Sequence, residues 1–347
     1  MSDILIRKVG RTGRITLNRP QSLNAVSLSM IHAIEAILPD WAQDDDITMV
    51  VIDAAGDKAF SAGGDIADIY GALTKGVFDK ARHFWREEYP VNAALFHFPK
   101  PVASFLQGFT MGGGVGVGCH ASHRVVGDSS RIAMPECGIG LVPDVGGSLL
   151  LARAPGRIGE YMGTTSYRMD ARDAIFAGFA DYYIAEANWP ALITELEQTG
   201  DWTKIDAAAL PIPSGKLEEA QPQIDAFFAG ETLRDILTLL ARSDDVWASA
   251  TLQRLATQAP LATASTIELI HRVRTTDRIE TALTNEYRYV HRAAEQGDFR
   301  EGIRAAIIDK DKAPKWQHGA LDAVTPSNVS TMLMPLGDDE LKLETTP

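Results

Sequence analysis

The run Met111-Gly112-Gly113-Gly114-Val115-Gly116 is followed by Ala133-Met134-Pro135-Glu136 and then by Val142-Pro143-Asp144-Val145-Gly146-Gly147. Glycines expose backbone N–H groups where a Cβ would intrude on a ligand. Glu136 and Asp144, eight residues apart, add two carboxylates. Together these are the parts needed to polarise a carbonyl and attack it. One absence matters as much, because the glycine run itself carries no acid and position 116 is glycine.

The elements that must hold these groups follow from hydrophobic spacing. Alternating segments at Ile4–Ile6 and Arg14–Asn18 read as strands, and Ser27 caps a helical pattern of Leu28, Ile31, Ile34, Leu38 and Trp41. A buried-type strand is expected at Met49–Ile52, then a loop over Gly56–Asp65, then a helix from Ile66. A second helix aligns Phe84, Glu88, Val91 and Leu95 and leads to a strand at Pro101–Leu106, with the glycine run expected directly after it. Short strands at Arg124–Val126 and Arg131–Met134 and a helix near Leu149–Arg153 complete an α/β pattern to about residue 185. Residues 191–215 read as a helix and connector, and residues 216–306 as helices, with Ile267, Ile270 and Val273 at spacings of three. The tail beyond Pro314 has no clear periodicity. The expected organisation is a catalytic core over 1–190, the connector, and a helical region over 216–347. No internal sequence repeat is evident.

Composition narrows the function. The 347 residues are 45% apolar and 23% charged, as in soluble globular proteins. Against 33 basic residues stand 46 acidic ones, a net charge of −13, which argues against a nucleic-acid or membrane-surface partner. Cys119 and Cys137 form no metal or disulfide spacing, and the histidines share no ligand spacing, so no metal site is expected. With strands from residue 4 onward and no apolar run of roughly 20 residues, neither a signal peptide nor a membrane span is expected. The expected compartment is the cytoplasm, or the mitochondrial matrix for a processed eukaryotic form.

Two glycine loops remain to be explained. Neither G-x-x-x-x-G-K-[ST] nor G-x-G-x-x-G occurs around Gly112–Gly118, so a nucleotide phosphate site is poorly supported. Ala59-Phe60-Ser61-Ala62-Gly63 misses the nucleophile-elbow pattern by one residue and leaves Ser61 a weak candidate nucleophile. A pair of N–H donors forming an oxyanion hole fits better, each donor being worth about 3 kcal/mol in a transition state.

Lys58-Ala59-Phe60-Ser61-Ala62-Gly63-Gly64-Asp65-Ile66, the Gly112–Gly114 run and Pro135-Glu136, with Asn18-Arg19-Pro20 and Leu23-Asn24-Ala25, resemble the signature segments of the enoyl-CoA hydratase/isomerase (crotonase) superfamily. That resemblance implies an α/β spiral of ββα units followed here by a mainly helical C-terminal region. It implies an acyl-coenzyme A ligand, with Gly64 and Gly113 as the oxyanion donors. Coenzyme A would lie along Ala62, Asp65 and Ile66, with Lys58 meeting a phosphate. No cofactor is expected, coenzyme A being part of the substrate, and a homo-oligomer is possible by the same resemblance.

Hydratases of that superfamily use two glutamates, one of them at the position matching Gly116. Without it, adding water to a double bond lacks one proton-transfer group, typically worth about 10²–10⁴-fold. The chain is more similar to the 3-hydroxyisobutyryl-CoA hydrolase branch. The matching segments are Glu87-Glu88-Tyr89-x-x-Asn92, Met111–Gly116, Ala133–Glu136, Ile139–Gly147, Glu301-Gly302-x-Arg304-Ala305 and Asp309-Lys310-Asp311-Lys312-x-Pro314-x-Trp316. This implies that Glu136 and Asp144 are catalytic and that Glu88, Gly113, Glu136 and Asp144 contact the substrate, a short branched 3-hydroxyacyl thioester of valine breakdown. Glu136 would attack directly or deprotonate a water, and both routes stay open. The alternatives are an enoyl-CoA hydratase or isomerase, and a non-catalytic acyl-CoA-binding protein of the same shape.

Overall fold

The computed structural model describes residues 2–343; the last four residues of the expected tail lie outside the described residues. Its nine strands are β1 (Ile4–Val9), β2 (Thr12–Leu17), β3 (Met49–Ala54), β4 (Ala59–Ser61), β5 (Val102–Phe105), β6 (Phe109–Met111), β7 (His123–Val126), β8 (Arg131–Ala133) and β9 (Tyr182–Tyr183). The chain forms two compact units, each assembled from three separate segments. The first takes residues 1–64, 90–133 and 168–218, and the second takes 65–89, 134–167 and 219–347.

The first unit holds all the strands. A six-stranded sheet runs β1-β2-β3-β5-β7-β9, and a three-stranded sheet runs β4-β6-β8. Only β1 and β2 are antiparallel, as a two-residue connection requires. Successive strand pairs β3–β4, β5–β6 and β7–β8 each place the first strand in the large sheet and the second in the small one. These are the repeated units that the resemblance implies, and the repetition lives in the backbone path rather than in residue identities. One face of the large sheet, through Met49, Val51, Ala103, Phe105 and Val125, packs on Trp189, Leu192, Ile193 and Leu196 of the helix Trp189–Thr199.

Two expectations need correction here. The loop over Gly56–Asp65 contains strand β4, and the glycine run follows β6 rather than the strand before it. Both of these strands are three residues long, too short to show alternation. Ser27 does cap the helix Leu28–Gln43, accepting from the Met30 amide at 3.4 Å.

The second unit is helical. Its long helix Pro260–Thr276 buries Ile267, Ile270 and Val273, as their spacing predicts. The helices Gly147–Arg153, Ile158–Thr165 and Ile279–Gln296 pack against it. The tail is not aperiodic throughout: Thr325 opens a helix over Pro326–Leu333 with a capping box to Asn328. Among the described residues no helix is long and apolar enough to cross a membrane.

Candidate active site

The expected site residues fall into two groups. Gly64, Gly113, Lys58 and Ala62 belong to the first unit; Asp65, Ile66, Glu88, Glu136 and Asp144 belong to the second.

In the first unit, β4 and β6 are parallel neighbours, with Ala59 opposite Phe109 and Ser61 opposite Thr110. The loops that follow them therefore leave from the same end of the small sheet. Gly63, at φ +113°, lies so close to the other loop that a Cβ there would stand 3.2 Å from the Met111 carbonyl oxygen and 3.9 Å from the Gly113 nitrogen. Val26 holds this loop by donating to the Gly63 carbonyl at 2.9 Å and bridging to Gly64. Gly112 adopts φ 49°, ψ −121°, a conformation open to glycine, and Gly113 begins the helix Gly113–Gly118. The first N–H groups of a helix find no acceptor inside it. Gly114 is needed for packing, since a Cβ there would come within 2.6 Å of the Ser61 carbonyl oxygen.

Ser61 is not built as a nucleophile. It is fully buried on β4, and its hydroxyl accepts from the Gly63 amide at 3.3 Å. Lys58 is exposed beside a surface cavity of about 230 Å³ lined by Pro20, Leu23, Asn24, Gly56 and Asp57 among others. Ala62 is exposed and donates its amide to the Leu23 carbonyl at 2.9 Å.

In the second unit, Glu136 is the first residue of a tight turn over Glu136–Ile139 that ends at Gly140, φ +80°. The turn is anchored by the Ala259 amide, which donates to the Cys137 carbonyl at 2.9 Å. Glu136 is only 5% exposed, and its Oε2 has no hydrogen-bond partner. Asp144, 6% exposed, accepts from the Tyr89 hydroxyl at 2.8 Å. Glu88 is 2% exposed with its Oε1 unpartnered, so its neighbours Arg86 and Glu87 misrepresent its setting.

A fourth acid, which the sequence reading missed, completes the group. Glu286, from the helix Ile279–Gln296, is fully buried and accepts from the amides of Gly146 at 2.8 Å and Ser148 at 2.9 Å, and from the Ser148 hydroxyl. Its position on a helix, 140 residues beyond Gly146, carries no motif.

Burial disfavours charge on all four groups. It pushes Glu88 well above the usual carboxylate range, and the nearby Asp144 charge adds to the effect. Glu136 is likewise raised by burial and then by Asp144. Burial lifts Glu286 to about 8 against the donors of Ser148 and Gly146, which pull it down. Asp144 rises only to about 6, because Tyr89 and a backbone amide offset its burial. Asp144 is thus the least raised of the four, and its charge adds to the burial that raises Glu88, Glu136 and Glu286. The cysteines contribute no nucleophile, since burial pushes the Cys119 and Cys137 thiols up to about 12.

The chain is similar to known proteins. A sequence model of the enoyl-CoA hydratase/isomerase family matches residues 12–333. A protein of Gallus gallus described as 3-hydroxyisobutyryl-CoA hydrolase, mitochondrial, is 35% identical over 353 residues, covering 99% of this chain and 91% of the relative. The human protein of the same description is 35% identical over 351 residues, covering 98% and 90%. A solved structure described as an enoyl-CoA hydratase from Rhodobacter sphaeroides is 52% identical with a TM-score of 0.93, covering 99% of this chain and 100% of that one. Another, described as a carnitinyl-CoA dehydratase from Mycobacterium thermoresistibile, is 36% identical with a TM-score of 0.94 and covers both chains fully.

Proposed function

The chain belongs to the enoyl-CoA hydratase/isomerase family, and from that premise we propose that it hydrolyses the thioester of 3-hydroxyisobutyryl-CoA to the hydroxy acid and coenzyme A. The curated relatives of that description, similar over nearly their whole length, support the substrate. The observation that carries the chemistry is the buried acid group Glu136, Asp144 and Glu88, combined with glycine at position 116.

In this reading the Gly64 and Gly113 amides bind the thioester oxygen as it gains charge. Glu136, once deprotonated, either attacks the carbonyl carbon to give a mixed anhydride and release the thiolate, or removes a proton from the water that attacks. Asp144 and Glu88 bind and orient the 3-hydroxyl. Supporting the oxyanion role, β4 and β6 are adjacent and parallel, and Gly64 and Gly113 follow them in the loops that leave from one end of the small sheet. Coenzyme A would use Ala62, Asp65 and Ile66, with Lys58 toward a phosphate. No further cofactor is needed. The compartment follows the relatives described as mitochondrial for a eukaryotic chain and is otherwise the cytoplasm.

The structural relative described as an enoyl-CoA hydratase favours a second reading, water addition to a double bond. Purified protein supplied with 3-hydroxyisobutyryl-CoA, 3-hydroxypropionyl-CoA and crotonyl-CoA separates the two. Free thiol from the hydroxy substrates, with the enoyl absorbance of crotonyl-CoA unchanged, is the expected outcome. Loss of that absorbance without thiol would establish the hydratase instead.

A further inference from the structure

The turn that carries Asp144 has an unusual backbone. Val145 has φ +55° and Gly146 has φ +79°, so two successive residues occupy the left-handed region. A β-branched residue keeps such a backbone only where the surroundings enforce it. The Gly147 amide closes the turn onto the Asp144 carbonyl at 2.7 Å. The enforcing group is Glu286, whose carboxyl takes the amides on both sides of Gly147, those of Gly146 and Ser148.

The next residue on the same helix acts on the other side of Asp144. Tyr287 packs edge-on to Tyr89, with ring centroids 6.1 Å apart at 81°, and Tyr89 is the hydroxyl that holds the Asp144 carboxyl. Backbone and side chain of Asp144 are thus both fixed from consecutive residues of the helix Ile279–Gln296. Hydrogen bonds of this kind, in a buried site, lock a group that would otherwise have rotational freedom.

We propose that Glu286 is a positioning residue for the hydrolysis, acting through Asp144 by enforcing the Val145–Gly146 turn, with Tyr287 steadying the partner of the Asp144 carboxyl. The proposal rests on the hydrolase reading for its kinetic consequences and on geometry alone for its structural ones.

The test uses the full chain with E286Q, S148A and D144N, and the double variant E286Q/D144N. Gln presents an amide donor where two backbone donors converge, so E286Q should lower kcat by about tenfold to a hundredfold, as a misplacement near 1 Å does, with a smaller change in KM. S148A removes only the hydroxyl donor to Glu286, leaving both backbone amides, and should lower kcat by less than tenfold; it carries the kinetic test if E286Q does not fold. In the D144N background, E286Q should change kcat by less than about twofold, because its route to the substrate is already cut. An undiminished loss in the double variant, or an unchanged kcat in both E286Q and S148A, would overturn the proposal. Amide hydrogen exchange of residues 144–148 should quicken in E286Q, or in S148A, whatever the substrate. If wild type releases no thiol yet exchange quickens, the substrate assignment fails while the positioning role stands; unchanged exchange removes the positioning role itself.

Discussion

Glu160 and Glu136 are the same residue type in the same helical unit, both buried, and they behave oppositely. Glu160 is fully buried but lies between two arginines and a histidine. Arg157 donates to it at 2.8 Å, His271 reaches it at 3.2 Å, and Arg274 grips both oxygens at 2.7 and 2.9 Å. Although burial pushes its carboxyl up, the hydrogen bonds of His271, Arg274 and Arg157 bring it down to about 2. Glu136 has acids for neighbours and an oxygen without a partner, and it is raised. A fully satisfied carboxylate is inert and holds structure together. A carboxyl left unsatisfied among like charges retains the capacity to gain and lose a proton, and such groups concentrate at sites of chemistry.

The largest effect that would test this contrast is on stability. E160Q should destabilise the fold by about 3 kcal/mol, the lower part of the range for breaking a buried pair, since Arg157 and Arg274 keep some access to solvent. Its kcat at a temperature where it stays folded should match wild type. Denaturant unfolding and thiol assays check both, and a catalytic defect without instability would break the comparison. The pH sign also differs. Glu160, lowered on folding, stabilises above its unfolded value near 4.5 and loses that contribution as pH falls toward 2.

An intermediate effect concerns the pH–rate profile. Glu136 acts deprotonated and is raised by burial and then by Asp144, so kcat/KM should fall on the acid side at a pH well above the usual carboxylate range. The value belongs to the coupled group rather than to one residue. D144N removes the like charge that adds to burial in raising Glu136 and should move this limb toward acid, besides lowering the rate. A limb that stays in place in D144N would show that Asp144 does not set the protonation of Glu136.

Some of this was legible in the sequence and some was not. Gly64, Gly113, Glu136 and Asp144 stand in contiguous motifs, because loops that contact a ligand with backbone need particular residues in a row. The caps of Ser27 and of the tail helix at Thr325 are local signals too, and Thr325-Pro326-x-Asn328 would have revealed that helix. Strands β4 and β6 were hidden by length. The burial of Glu88 was legible in its alignment with Phe84, Val91 and Leu95 on the helix Asp79–Phe96, although Arg86 and Glu87 beside it suggest a solvated setting. Glu286 was hidden by distance along the chain, as any tertiary hydrogen bond is.

The smallest expected effect is on Glu88. A carboxyl whose pKa is raised on folding contributes stability fully below its unfolded pKa, and loses it as pH rises through the folded value. E88Q has no such loss. Its midpoint of thermal unfolding should exceed that of wild type by about 1–2 °C at pH 8 for each kcal/mol involved, with the gap closing toward pH 5. A gap independent of pH would assign the difference to packing instead of charge.

The central claim is that the buried Glu136 splits the thioester. Thiol release from 3-hydroxyisobutyryl-CoA by E136Q, measured beside wild type, tests it most directly. The account predicts a loss of at least about 10³-fold, the scale of removing a nucleophile or general base, with unfolding unchanged or shifted upward. Thiol release by a folded E136Q at a rate close to that of wild type would contradict it.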